Sequence, residues 1–273
     1  MGSMKVLALD IDGTLTDSKK EISPATRKRL LDIMKEGHKV VLASGRPTPG
    51  LRRYERELEL GKYGGYLLAF NGARISACGT GEVIWQKALP LDLLPGLYEF
   101  AGKNRCGLAT HDKEGVISAF APEKYLRLEA DMNGLSVRQV EDFVGFVDFD
   151  ICKCFMTEEP ERAAVLVEEL QAKYGHMAGI YRSDPFFIEI VAKDVDKASS
   201  LLRLLNRLGV GWEDCICCGD GYNDISMIRS AGVGVAMGNA QEQVKEAADY
   251  IAPSNDEDGL VQVIDKFITG ERR

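Results

Sequence analysis

The residues best suited to chemistry come early in the chain. Asp10 and Asp12 close the apolar run Val6-Leu7-Ala8-Leu9 and are followed by Gly13-Thr14-Leu15. Two carboxylates crowded at one strand end repel each other unless a cation or a shared proton lies between them. Oxygen ligands of this kind suit magnesium. An Asp-x-Asp pair can equally be a solvated acidic turn, so its meaning rests on what else the chain brings to the same place. Ser44-Gly45-Arg46 follows the apolar run Lys39–Ala43, and Lys197 opens an amphipathic segment. Gly219-Asp220-Gly221-Tyr222-Asn223-Asp224 follows Cys215-Ile216-Cys217-Cys218.

These residue types form a phosphoryl-handling set. Cleavage of a phosphate monoester needs an in-line nucleophile and neutralisation of the charge spread over the phosphoryl oxygens. A carboxylate nucleophile divides that reaction into two easier steps through an acyl phosphate. Asp10 is the candidate nucleophile. Asp12 is the candidate acid for the leaving alkoxide and, later, the base for the attacking water. Asp220 can hold a metal together with Asp10, and Lys197 offsets the repulsion between Asp10 and a dianionic substrate. Ser44, the Gly45 backbone and Asn223 can orient the phosphate oxygens. Plainer readings stand beside these. Lys197 can be a solvated charge at a helix start, and Ser44 a turn cap. Asn223 and Asp224 can satisfy free N–H groups at a helix N-terminus.

The elements that carry these residues alternate in type. Val6–Leu9 is apolar on both faces, as in a buried parallel strand. Ser23-Pro24 supplies an N-cap and first helical residue, and Gly37 a stop. Lys39–Ala43 reads as the second strand, a charged helix runs from Arg52 to Leu60 and ends at Gly61, and Tyr66–Phe70 is the third strand. Residues 197–208, 215–218, 222–230, 233–237, 241–248, 250–252 and 259–268 resume the alternation. In a parallel sheet all the strand ends that carry the set lie on one side, where such sheets bind ligands.

Between these stretches the rhythm changes. Arg74–Ser76 and Glu82–Trp85 read as a hairpin. From about Pro90 to Val191 come a helix, a second hairpin, a helix over Tyr125–Met132, a strand over Ile151–Met156, a helix over Glu161–Lys173 and a strand over Phe186–Val191. The expected organisation is an α/β parallel-sheet core of residues 1–83 plus 192–273, with an α+β domain of residues 84–191 inserted after the third strand.

The combination Asp10-Ile11-Asp12-Gly13-Thr14-Leu15, Ala43-Ser44-Gly45-Arg46, Asn71-Gly72-Ala73, Lys197 and Gly219-Asp220-Gly221-Tyr222-Asn223-Asp224 resembles the haloacid dehalogenase (HAD) superfamily. The long insertion and the closing Gly234-Val235-Ala236-Met237-Gly238-Asn239-Ala240 resemble its Cof-type branch with a type IIB (C2B) cap. The likeness spans nearly the whole chain, although Ala198 stands where relatives often carry Gly. It implies a Rossmann-like core, Mg2+, an aspartyl-phosphate intermediate and a cap that sets specificity. It also implies Asp10 as nucleophile and Asp12 as acid/base. The metal would be held by Asp10, the Asp12 main-chain carbonyl and Asp220, with Asp224 as a further metal-site or supporting carboxylate. Ser44, Lys197 and Asn223 would contact phosphate. The implied activity is a phosphatase acting on small phosphorylated metabolites such as sugar phosphates. A phosphomutase or phosphotransferase shares the aspartyl-phosphate step, and a non-catalytic phospho-ligand sensor is a third reading.

Composition narrows the field. With 273 residues, 45% hydrophobic content and a net charge of −8, the chain can bury a large core and lacks the basic balance needed for nucleic-acid or anionic-membrane binding. Its apolar runs are too short to span a bilayer, and no secretory leader is evident, so a cytoplasmic setting is expected. Gly2 and Ser3 read as a cloning remnant ahead of Met4. The 7 cysteines are unevenly spaced and mostly in apolar runs, as suits reduced core thiols. The alternative is a zinc site joining Cys215 and Cys218 with Cys152 and Cys154. The histidines, His38, His111 and His176, fall outside every motif and are expected at the surface or in packing. Arg46 is either a substrate or cap contact or one half of a core–cap ion pair. Arg182, Ser183 and Asp184 either face substrate or form an ordinary polar turn.

Overall fold

The computed structural model describes residues 3–270; Gly2 lies outside them. In the first part of the chain, β1 (Val6–Leu9), α1 (Pro24–Lys35), β2 (Lys39–Ala43), α2 (Thr48–Glu57), α3 (Leu60–Tyr63), β3 (Tyr66–Ala69), β4 (Arg74–Ala77) and β5 (Val83–Gln86) follow in order. The middle carries α4 (Leu94–Asn104), β6 (Gly107–His111), β7 (Gly115–Ser118), α5 (Lys124–Asn133) and β8 (Ser136–Gln139). It continues with α6 (Phe143–Phe146), β9 (Lys153–Thr157), α7 (Pro160–Tyr174), β10 (Ala178–Asp184) and β11 (Phe187–Ala192). The last part holds α8 (Lys197–Leu208), β12 (Cys215–Gly219), α9 (Ile225–Ser230), β13 (Val233–Ala236), α10 (Glu242–Lys245), β14 (Tyr250–Ile251) and α11 (Gly259–Ile264).

The chain divides into two units. One takes the residues up to Gly45, Leu51–Trp85 and those from Asp196 onward; the other takes Arg46–Gly50 and Gln86–Val195. The expected boundaries at 83/84 and 191/192 fall instead at 85/86 and 195/196, each a few residues later in the chain. The reason at the first is β5, which joins the edge of the core sheet instead of beginning the insertion. The insertion thus follows the fifth strand, not the third.

The first unit is built on an 8-stranded sheet in the order β14-β13-β12-β1-β2-β3-β4-β5. Strands β14 through β3 are parallel, and β4 returns antiparallel to β3. β1 pairs with β2 on one side and β12 on the other, so the chain order reverses about β1. That reversal opens the crevice in which such sheets place ligands. The register aligns Leu9 with Leu42 and Cys218, so Asp10, Ser44 and Asp220 all emerge at carboxyl ends of neighbouring strands. Leu201, Leu204 and Leu205 of α8 pack against Val6, Ala8, Val41 and Ala43. Leu202 of the same helix is 41% exposed, because the apolar positions outnumber the face that meets the sheet.

Local chemistry explains most element ends. The Ser23 side chain accepts from the Thr26 amide at the start of α1, and Asp196 does the same for Ser199 at the start of α8. The charged helix expected to run to Leu60 is broken at Glu59, which takes a left-handed conformation (φ 52), and the second piece ends at Gly64, not Gly61. The last helix passes into a π-helical turn over Asp265–Thr269. All 7 cysteines are free and buried.

The second unit holds a 6-stranded sheet in the order β10-β11-β9-β6-β7-β8. One face packs Leu108, Cys154, Met156 and Ile188 against α4 and α7, while Ala109, Phe155 and Phe187 on the other face meet Leu126 and Ala130 of α5. β8 and β10 are additional to the sequence reading; both are edge strands rich in polar residues, which mask the alternation. His38 accepts from the Lys5 amide, whereas His111 is buried beside Glu129.

Candidate active site

Asp10 continues the line of β1, its amide donating to the Cys218 carbonyl at 3.0 Å, so its carboxyl is fixed by the sheet. Lys197, the first residue of α8, has no exposed surface and reaches both Asp10 Oδ1 (2.7 Å) and Asp224 Oδ1 (2.6 Å). The solvated-lysine reading therefore falls. Asp224 is likewise fully buried, and its other oxygen accepts from the backbone N–H groups of Asp220 and Gly221 at 3.1 and 2.9 Å. Asp224 thus folds the loop that presents Asp220 while holding Lys197.

Thr14 donates its hydroxyl to Asp220 Oδ1 at 2.9 Å, orienting that carboxylate from the β1 side. Gly13 lies between them at φ 86, and a Cβ there would come within 2.4 Å of Asp220 Oδ2. Glycine is required here both for the backbone conformation and for the approach of the carboxylate. Asp12 pairs with Lys20 at 2.9 Å.

Asp10, Asp220 and Asp224 each place a carboxylate oxygen within 4.8 Å of the others. Burial pushes the Asp10 carboxyl well above the usual range; Lys197 opposes this, and Asp224 and Asp220 reinforce it. Burial also raises Asp220, to about 6, with Thr14 opposing and Asp224 adding. Lys197 is raised despite burial, because Asp10 and Asp224 hold its charge. One ammonium thus faces three carboxylates. That donor set, hard, anionic and under-neutralised, fits a divalent cation.

A second group lies on the β2–β3 side. Ser44 is 3% exposed; its amide donates to Leu68 O, and its carbonyl accepts from the Asn71 amide, each at 2.9 Å. Gly45 lies against the Asn71 side chain, which a Cβ would approach to 3.3 Å. Asn223 is exposed and donates its side-chain amide to Asn71 Oδ1 at 2.9 Å.

The structure brings Asp10, Ser44, Gly45, Lys197, Asp220, Asn223 and Asp224 into the first unit. Arg46 belongs to the second, where it donates to the Met132 carbonyl at 2.7 Å. Arg182 and Asp184 are exposed residues at the end of β10, beside a bulge, instead of the turn expected before a final strand. Thr14 and Asn71 acquire contacts that the motif reading did not assign. Their signal was a hydroxyl two residues after Asp12 and an amide just past the third strand.

The sequence profile of the haloacid dehalogenase-like hydrolases matches residues 7–264. The chain belongs to that family. This HAD hydrolase is 30% identical over 265 residues to YcsE of Bacillus subtilis (strain 168), a 5-amino-6-(5-phospho-D-ribitylamino)uracil phosphatase, the match covering 97% of this chain and 96% of the relative. A haloacid dehalogenase-like hydrolase from Bacteroides thetaiotaomicron superposes with a TM-score of 0.93 at 40% identity, over 97% of this chain and 100% of that one. The HAD subclass IIB sugar phosphatase BT4131 superposes with a TM-score of 0.83 at 27% identity, over 97% and 99%. Fold, chain length and motif order thus place this hydrolase among Cof-type HAD phosphatases.

Proposed function

We propose that this phosphatase hydrolyses phosphate monoesters of small metabolites, sugar phosphates or similar, through an aspartyl-phosphate on Asp10, with Mg2+ as cofactor. The observation that carries the reading is the buried Lys197 ammonium held between Asp10 and Asp224. A lysine with no exposed surface is rarely placed for solubility; here it lets a carboxylate meet a dianion. In the first step Asp10 attacks phosphorus in line, forming the P–O bond to its carboxylate as the P–O bond to the leaving group breaks. Asp12 gives the departing alkoxide its proton. In the second step Asp12 takes a proton from water, which attacks the same phosphorus and returns Asp10 to its carboxylate form.

Asp10, the Asp12 main-chain carbonyl and Asp220 would hold the cation, with Asp224 supporting them. The bound cation supplies Lewis-acid stabilisation of the charge on the phosphoryl oxygens. Ser44, the Gly45 amide, Asn223 and Lys197 orient that group. The inserted unit, near residues 84–191, acts as the specificity cap, with Arg46, Arg182 and Asp184 as its candidate contacts. The sugar-phosphate class is supported by the names of YcsE and BT4131, and a cytoplasmic setting by reduced, buried cysteines. Among the described residues no helix is long and apolar enough to cross a membrane.

The test is phosphate release from a panel of metabolite esters with Mg2+, without a bisphosphate activator. The unmodified protein should turn over, Asp10→Asn should lose nearly all activity, and Asp12→Ala most of it. Full activity in Asp10→Asn would remove the assigned nucleophile. Dependence on a bisphosphate activator would favour a mutase.

A further inference from the structure

The turn after β3 holds an unusual backbone. Phe70 and Asn71 both lie in the left-handed region, at φ 54 and 55, and Gly72 follows at φ 99. Such a conformation is strained for a non-glycine residue and persists only where the surroundings impose it. Asn tolerates it better than most residues, which explains position 71 but not the aromatic before it. The surroundings here are the phosphate side of the site. The Asn71 amide donates to Ser44 O at 2.9 Å, Asn71 Oδ1 accepts from Asn223 Nδ2 at 2.9 Å, and the Asn71 side chain lies over Gly45. Ser200 donates to Gly72 O at 2.7 Å, tying the turn to α8, the helix that begins at Lys197. Asn71 itself is only 8% exposed.

We propose that Asn71 is a positioning residue for the phosphoryl group, acting through Asn223 and the Ser44-Gly45 turn. The inference rests on the phosphatase reading above. The neutral amide suits this role because it offers an acceptor to Asn223 without adding charge. An aspartate of the same shape would place another negative charge on the side that receives a dianion. Strain in the turn is the means by which one side chain reaches both neighbours.

Asn71→Gly tests this, since glycine keeps the left-handed backbone available while removing the amide. With p-nitrophenyl phosphate and Mg2+, kcat/KM should fall about 10- to 100-fold, the scale of a displaced positioning group. Inhibition by inorganic phosphate should weaken in parallel, while the circular-dichroism spectrum stays unchanged. Asn223→Ala should show a similar loss. Because Asn71 acts through Asn223, the double variant should lose less than the product of the two single losses. Asn71→Asp should be at least as impaired as Asn71→Gly. Unchanged kcat/KM and phosphate inhibition in Asn71→Gly, or independent multiplicative losses, would overturn the proposal. An unmodified protein without Mg2+-dependent hydrolysis, or one indifferent to Asp10→Asn, would instead overturn the phosphatase reading beneath it.

Discussion

Lys197 Nζ lies 2.7 Å from Asp10 Oδ1, and neither group has more than a trace of solvent contact. Removing the ammonium leaves Asp10 and Asp224 buried without their shared counter-charge. Loss of one partner of a buried pair costs about 3–5 kcal/mol, and protonation of Asp10 lets the protein escape part of that. Lys197→Met should therefore lower unfolding free energy by about 3 kcal/mol as well as abolish turnover. Urea unfolding of both proteins at pH 7.5 measures it. A variant as stable as the parent would show that the pair contributes nothing to the fold.

Gly13→Ala separates backbone strain from crowding of the metal site. At Gly13 the φ of 86 is combined with a Cβ position 2.4 Å from Asp220 Oδ2, whereas Gly37 has a φ of 98 and nothing within 4 Å. Gly37→Ala should cost only the backbone penalty, about 1 kcal/mol. Gly13→Ala should cost more and also displace Asp220, so Mg2+ should no longer raise its Tm. Equal effects of the two substitutions on Mg2+-dependent Tm would refute the crowding argument.

The acid cluster predicts a pH-dependent response to metal. Asp220 has a folded pKa of about 6, raised by burial, against an unfolded value of 3.8. Between those values the folded state holds the extra proton, so this group's contribution to stability falls as pH rises through the window. Mg2+ competes with that proton and relieves the repulsion left after it departs. The Tm gain from Mg2+ should be larger at pH 7.5 than at pH 5.5. Asp220→Asn should raise the Tm of the metal-free protein at pH 7.5 and lose the Mg2+ response. A gain independent of pH, measured by differential scanning fluorimetry, would contradict the assignment.

The core was legible in the sequence because its strands are buried on both faces and its ends are marked by Ser23, Gly37 and the acidic motifs. Lys39–Ala43 emerged with the range expected for it. The site was legible for the same reason: strand ends converge wherever parallel order holds. What sequence did not reveal came from long-range geometry. β5 reads as the start of an insertion until its pairing at the core edge is known. The left-handed break at Glu59 carries no glycine to announce it. Thr14 and Asn71 lie within motifs, yet their partners Asp220 and Asn223 are far away along the chain. In the second unit, polar edge strands hid β8 and β10, and the charges on its sheet face gave no periodic signal.

Those charges lead to a prediction for the inserted unit. His111 on β6 is 6% exposed, stacks on Phe155 with ring centroids 5.3 Å apart, and lies 3.4 Å from Glu129 Oε1 of α5. Lys153 on β9 pairs with Glu189 on β11 at 2.9 Å and reaches Glu129 at 3.8 Å. Burial lowers the His111 pKa below 6.5, and Lys153 adds to the shift while Glu129 and Glu189 oppose it. Because the unfolded chain takes up this proton first, stability falls as pH drops below 6.5 and levels off once the folded imidazole is also charged. His111→Gln removes the titration. Between pH 7.5 and pH 5.5 the parent should therefore lose more unfolding free energy than His111→Gln does, after each is referenced to its own value at pH 7.5. Parallel profiles for the two proteins would mean that His111 is already charged in the folded state, with Glu129 and Glu189 outweighing burial.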